Sequence, residues 1–130
     1  LNMSARILVV VDESHILQVL SLKLRNAGYT VITAGDGEEG LHVATAESPD
    51  LVITDLQMPY MSGTDLCRSL MERSSTQNIP VIILTARGCA LSDEECSALL
   101  GETIDRLPGW IEEVIAQSSG EEGAPLVAVN

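Results

Sequence analysis

Phenylalanine is absent from this 130-residue chain, and Tyr29, Tyr60 and Trp110 are its only aromatic residues. A surface that binds single-stranded nucleic acid by stacking bases on rings therefore has little to build with. Basic side chains are scarce too: 7 Lys and Arg face 19 Asp and Glu, a formal net charge of −12. Such a balance repels phosphate backbones and anionic lipid, so neither direct nucleic-acid binding nor membrane binding is expected. No apolar stretch approaches the roughly 20 residues of a membrane span, and the N-terminal residues lack the basic and apolar regions of a signal peptide; a cytoplasmic location is expected.

Other motifs are missing. Cys67, Cys89 and Cys96 are odd in number and form no CxxC pair, which removes the usual zinc and redox frameworks and leaves packed free thiols. No serine sits in a GxSxG elbow, and neither His15 nor His42 has a triad-like setting. Gly35, Gly37 and Gly40 make neither a P-loop nor a dinucleotide fingerprint, because no Lys-Ser/Thr pair follows them.

What is present is a regular alternation. Residues 7–11 form a continuous apolar run, which suits a parallel strand covered on both faces. From residue 14 to residue 27 the period becomes helical, with Leu17, Leu20 and Leu24 on one face, and Gly28 ends the segment. Residues 29–33 return to strand, and Asp36-Gly37-Glu38-Glu39 opens a second helix that Ser48-Pro49 closes. Residues 51–54 predict a third strand, 62–71 a third helix and 81–84 a fourth, wholly apolar strand. Beyond these, Ser92-Asp93-Glu94-Glu95 reads as a capping box opening a helix to about Leu100. Residues 103–107 form a weak fifth strand and 110–117 a short helix. The whole is expected to be one α/β domain over residues 4–117, helices on both faces of the sheet, with residues 118–130 a flexible tail or the start of a linker.

Ligands of open α/β sheets gather beyond the carboxyl ends of the strands. Asp12 and Glu13 follow the first strand, Asp55 ends the third and Thr85 follows the fourth. Asp55 is the telling residue, since a carboxylate where a buried strand reaches solvent needs partners. This oxygen-rich set suits Mg²⁺, which takes one or two carboxylates and keeps several waters; the Gln57 backbone carbonyl offers another oxygen, and Glu13 is a further candidate ligand. The alternative for Asp12 is a plain cap of a strand-to-helix junction.

At this point the chain resembles the receiver domain of bacterial two-component response regulators. The likeness is carried by Arg6-Ile7-Leu8-Val9-Val10-Val11-Asp12-Glu13, by Gly35-Asp36-Gly37-Glu38-Glu39-Gly40-Leu41, by Pro49-Asp50-Leu51-Val52-Ile53-Thr54-Asp55-Leu56-Gln57-Met58-Pro59, by Met61-Ser62-Gly63 and by Pro80-Val81-Ile82-Ile83-Leu84-Thr85-Ala86. The resemblance implies a five-stranded parallel sheet of order 2-1-3-4-5. It implies Asp55 as phosphoacceptor, Thr85 as switch hydroxyl, and Mg²⁺ held by Asp12, Asp55 and the Gln57 carbonyl. It further implies a histidine kinase or phosphotransfer protein as donor. The output would be a downstream protein or effector domain reached through the fourth helix, fifth strand and fifth helix, with a homodimer as another option.

Three positions depart from that family's pattern. Val11 stands where the first of two adjacent acids belongs, Leu107 where strand 5 carries a lysine, and Ile104 where it carries an aromatic switch residue. Leucine cannot supply positive charge to phosphoryl oxygens, and isoleucine is stiff at χ1. A phosphorylation-independent pseudo-receiver that binds protein partners is therefore the alternative reading. A haloacid-type phosphatase is a third and weaker one, because Gln57 stands where its second acid would be.

Overall fold

The computed structural model describes residues 5–84 and 126–129. The strands are β1 (Arg6–Val10), β2 (Thr30–Ala34), β3 (Leu51–Asp55), β4 (Val81–Leu84) and β5 (Leu126–Val129), and the helices among the described residues are α1 (Ser14–Asn26), α2 (Gly37–Glu47) and α3 (Gly63–Met71). All strand pairs are parallel, in the order β2-β1-β3-β4-β5. The parallel sense and the order β2-β1-β3-β4 are those expected.

Alternation along the strands divides the core in two. Ile7, Val9, Leu51, Ile53, Ile82 and Leu84 pack with Leu20 and Leu24 of α1 on one face. On the other, Leu8, Val10, Val52, Val81 and Ile83 pack with Ala44 of α2 and with Leu66, Cys67 and Leu70 of α3. Neither face of the central strands meets water, which is why their sequences run apolar without a break. Each of these large side chains contributes about 1.5–3 kcal/mol on full burial. Burial also pushes the Cys67 thiol above its ordinary pKa, in keeping with a packed, neutral side chain.

Local chemistry sets the helix ends. Glu13 caps α1, with its carboxylate oxygens accepting from His15 N at 2.9 Å and Ile16 N at 3.1 Å. Gly28, at φ 101°, supplies the left-handed turn into β2. Asp36 caps α2 by accepting from Glu39 N at 2.8 Å. Ser62 and Asp65 form a reciprocal capping box at α3.

The C-terminal part differs from expectation. Within residues 118–130, read from sequence as a tail, Leu126–Val129 form β5 and pair with β4 from Val81↔Leu126 to Leu84↔Val129. The physical reason is composition: Leu-Val-Ala-Val is a short apolar run that suits a parallel ladder beside the buried β4. Residues 103–107, expected to fill that slot, lie outside the described residues, as do the expected helices at 92–100 and 110–117.

Two predictions test this packing. In Gly40→Ala a Cβ would lie 2.8 Å from Val10 Cγ2. Overpacking costs of about 1–3 kcal/mol should outweigh the gain of about 0.8–1 kcal/mol from replacing a helical glycine, so urea unfolding should show a net loss. A chain shortened to residue 125 should unfold at lower urea than the full chain; an equal midpoint would show that β5 adds nothing to stability.

Candidate functional site

The site forms where the C-terminal ends of β1 and β3 meet. Val10 pairs with Thr54, so the segments leaving these neighbouring strands, Val11-Asp12 and Asp55-Leu56, emerge at the same end of the sheet. Asp55 closes β3 and is only 4% exposed; it also pairs in register with Leu84 of β4. An aspartate that deep is held by its surroundings rather than by chance, since burying a carboxylate is costly unless polar groups or cations compensate.

Beside it opens a cleft of about 480 Å³ lined by Asp12, Leu56, Gln57, Met58, Pro59 and Ser62. Asp12 and Gln57, both expected from sequence, thus share one wall-lined space, and Asp55 precedes the cleft residue Leu56 directly. Glu13 turns its carboxylate onto the N-terminus of α1, where it accepts from the His15 and Ile16 N–H groups. Val11 is 1% exposed and belongs to the apolar core beside Val9 and Ile53, so the position that would hold an outer acid packs as hydrocarbon. Thr85, Ile104 and Leu107 lie outside the described residues. Among the described residues, no three His, Cys, Asp or Glu side chains form a metal cage. Two carboxylates and a carbonyl is a donor set that fits Mg²⁺ with retained waters and fits poorly a metal needing a closed all-protein shell.

The β3-to-α3 loop is tightly determined. Met58 is buried, with its Sδ 4.0 Å from Thr54 Oγ1. Gly63 N donates to Leu56 O at 2.8 Å, and a Cβ on Gly63 would collide with the Asp55 carbonyl oxygen. Between these anchors Met61 N donates to Pro59 O at 2.8 Å around Tyr60, whose φ is +68°. An i to i+2 bond around a positive φ is the rare, strained form of the γ-turn. Tyr60 is fully exposed, so the strain is not repaid by packing of its ring.

Sequence reading missed Ser62 as a cleft residue and Tyr60 as a strained one. For Ser62 a signal existed, the Ser-x-x-Asp spacing before an apolar run, which places it at the mouth of α3. Tyr60 gives no such signal, because tyrosine is not a residue that marks left-handed backbone.

Residues 7–98 match the family described as response regulator receiver domain, and the chain belongs to that family. Over 99 residues it is 41% identical to the alkaline phosphatase synthesis transcriptional regulatory protein PhoP of Bacillus subtilis, an alignment covering 76% of this chain and 38% of that protein. The chain therefore spans well under half the length of this relative. A response regulator from Chloroflexus aurantiacus superposes with a TM-score of 0.73 at 28% identity, covering 88% of this chain and 99% of the other. The receiver domain of the sensor histidine kinase PA1611 from Pseudomonas aeruginosa, whose structure has a magnesium ion in its active-site cleft, shares the fold at a TM-score of 0.62 and 21% identity, with 79% and 99% coverage.

Tyr60→Gly tests the strain. Relief of about 1–3 kcal/mol, less about 0.5–1 kcal/mol for the greater freedom of unfolded glycine, should leave a net stabilisation of about 1 kcal/mol in chemical denaturation. An unchanged or lower stability would show that the turn is not under load.

Proposed function

We propose that this chain accepts a phosphoryl group on Asp55 from a histidine kinase or phosphotransfer protein. The observation that carries the reading is the placement of a deeply buried aspartate at the end of a central strand, next to the cleft shared by Asp12 and Gln57. An Asp55 carboxylate oxygen attacks phosphorus of the donor's phosphohistidine, an acyl phosphate forms, and the P–N bond breaks as the imidazole departs. Asp12, Asp55 and the backbone carbonyl of Gln57 are the residues that would hold Mg²⁺. When bound, the ion supplies positive charge to oppose that of the phosphoryl oxygens. Thr85 is the hydroxyl proposed to turn toward the modified aspartate, and the output passes to a downstream protein or effector domain.

The charge balance makes this receiver unusual. Lys23 is the only lysine in the sequence, so no assignment of the fifth strand, whether residues 103–107 or Leu126–Val129, gives that strand one. Lys23 stands in the last turn of α1, about 13 Å along the axis from the helix start that adjoins the site. A phosphoryl group bringing about −1.5 to −2 charges then lacks the ammonium partner that other receivers provide. A short-lived phosphoaspartate follows, and Val11 in place of an acid weakens the metal site further.

Those same departures favour the second reading, a pseudo-receiver that binds partners without phosphorylation. Acetyl phosphate with Mg²⁺ separates the two. Intact mass should show one added phosphoryl group, absent in Asp55→Asn and lost within minutes after donor removal. Saturating donor without an adduct, together with no Mg²⁺ binding, would favour the pseudo-receiver and end the phosphoacceptor proposal.

A further inference from the structure

The start of α2 carries a notch. Gly37 is buried, and a Cβ built there would lie 2.8 Å from both Cβ and Cγ of Met61 and 2.9 Å from its Sδ. Real Cβ atoms essentially never approach that closely, so the Met61 side chain fills space that only glycine leaves open. Met61 also donates its backbone N–H to Pro59 across the strained turn at Tyr60, which ties the packing of its side chain to the loop that lines the cleft. Methionine suits such a gap because it is long, unbranched and polarisable.

We propose that Met61 is a positioning residue: seated in the Gly37 notch, it clamps the β3-to-α3 loop against α2 and so holds the cleft wall formed by Gln57, Met58 and Pro59 in place beside Asp12. The strain at Tyr60 has its cause here. Met58 is buried at one end and Met61 is locked at the other, and the intervening Pro59-Tyr60 must turn within the length left to it. In this arrangement α2 is not only a cover for the sheet; its first turn sets the loop of the candidate site. This inference rests on the phosphoacceptor reading for its consequence in reactivity, but not for its structural content.

A size-exchange experiment on the full chain decides it. Gly37→Ala should move the backbone amide resonances of residues 57–61 and lower the rate of Asp55 modification by acetyl phosphate about ten- to a hundredfold, as sub-ångström to ångström misplacement does. Met61→Ala alone, which removes bulk without adding any, should lower the rate in a folded protein. Combining G37A with M61A should return the rate to within about threefold of the M61A value and reverse most of the resonance shifts that Gly37→Ala produces. Unmoved amides and an unchanged rate in Gly37→Ala, or an M61A rate equal to that of the parent, would overturn the clamp. If the parent chain takes no phosphoryl group at all, the phosphoacceptor reading falls, and the amide shifts of Gly37→Ala with their reversal in the double variant still decide the clamp. Should Gly37→Ala not fold, the Met61→Ala amide shifts and rate decide it instead.

Discussion

Everything in the site hangs on the burial of β3. All five of its residues are buried, the aspartate included, because the strand lies between β1 and β4 and is covered by α1 on one side and by α2 and α3 on the other. Two dry faces hold the strand in register with its neighbours: slipping by one residue would swap every side chain between the α1 core and the opposite core. That rigidity places Asp55 at a defined depth and leaves the chain one step later at the cleft. The glycine at 63 completes the constraint, since α3 starts so close to the Asp55 carbonyl that no side chain fits between them.

The loop that follows shows how such closeness is maintained. Glycines at 37, 40 and 63 are contact points, each occupied by a neighbour where a Cβ would have been. They let α2 settle onto Val10 of β1 and onto Met61, and let α3 settle onto the end of β3. The cost of this compaction is concentrated at one residue, Tyr60, whose backbone is left-handed and whose ring is exposed. Strain at the edge of a candidate site is a common companion of preorganised geometry.

Electrostatically the site is one-sided. Asp12 and Asp55 bring negative charge to the same end of the sheet, the chain as a whole carries −12, and its single lysine lies at the far end of α1. Family membership establishes the scaffold of a receiver domain. The buried Val11 and the single lysine, Lys23, are matters of side-chain charge rather than of fold.

Much of this was legible in the residues themselves. The continuous apolar runs announced β1, β3 and β4, and Asp36, Ser62 and Gly28 marked helix ends, because strand burial and capping are encoded within a few neighbouring residues. Asp12 and Asp55 were assigned to the same end of the sheet by the rule that such sites lie beyond strand ends, and the register of β1 with β3 puts them there. The pairing of Leu126–Val129 was not legible: parallel pairing is non-local, four apolar residues look like any tail, and it is the ladder with β4 that makes them a strand. Nor was the capping role of Glu13, whose carboxylate accepts from the His15 and Ile16 N–H groups at the start of α1. The contact of Met61 with Gly37 likewise belongs to tertiary structure, since it joins residues 24 positions apart whose proximity follows only once α2 and the β3-to-α3 loop pack over the same face of the sheet.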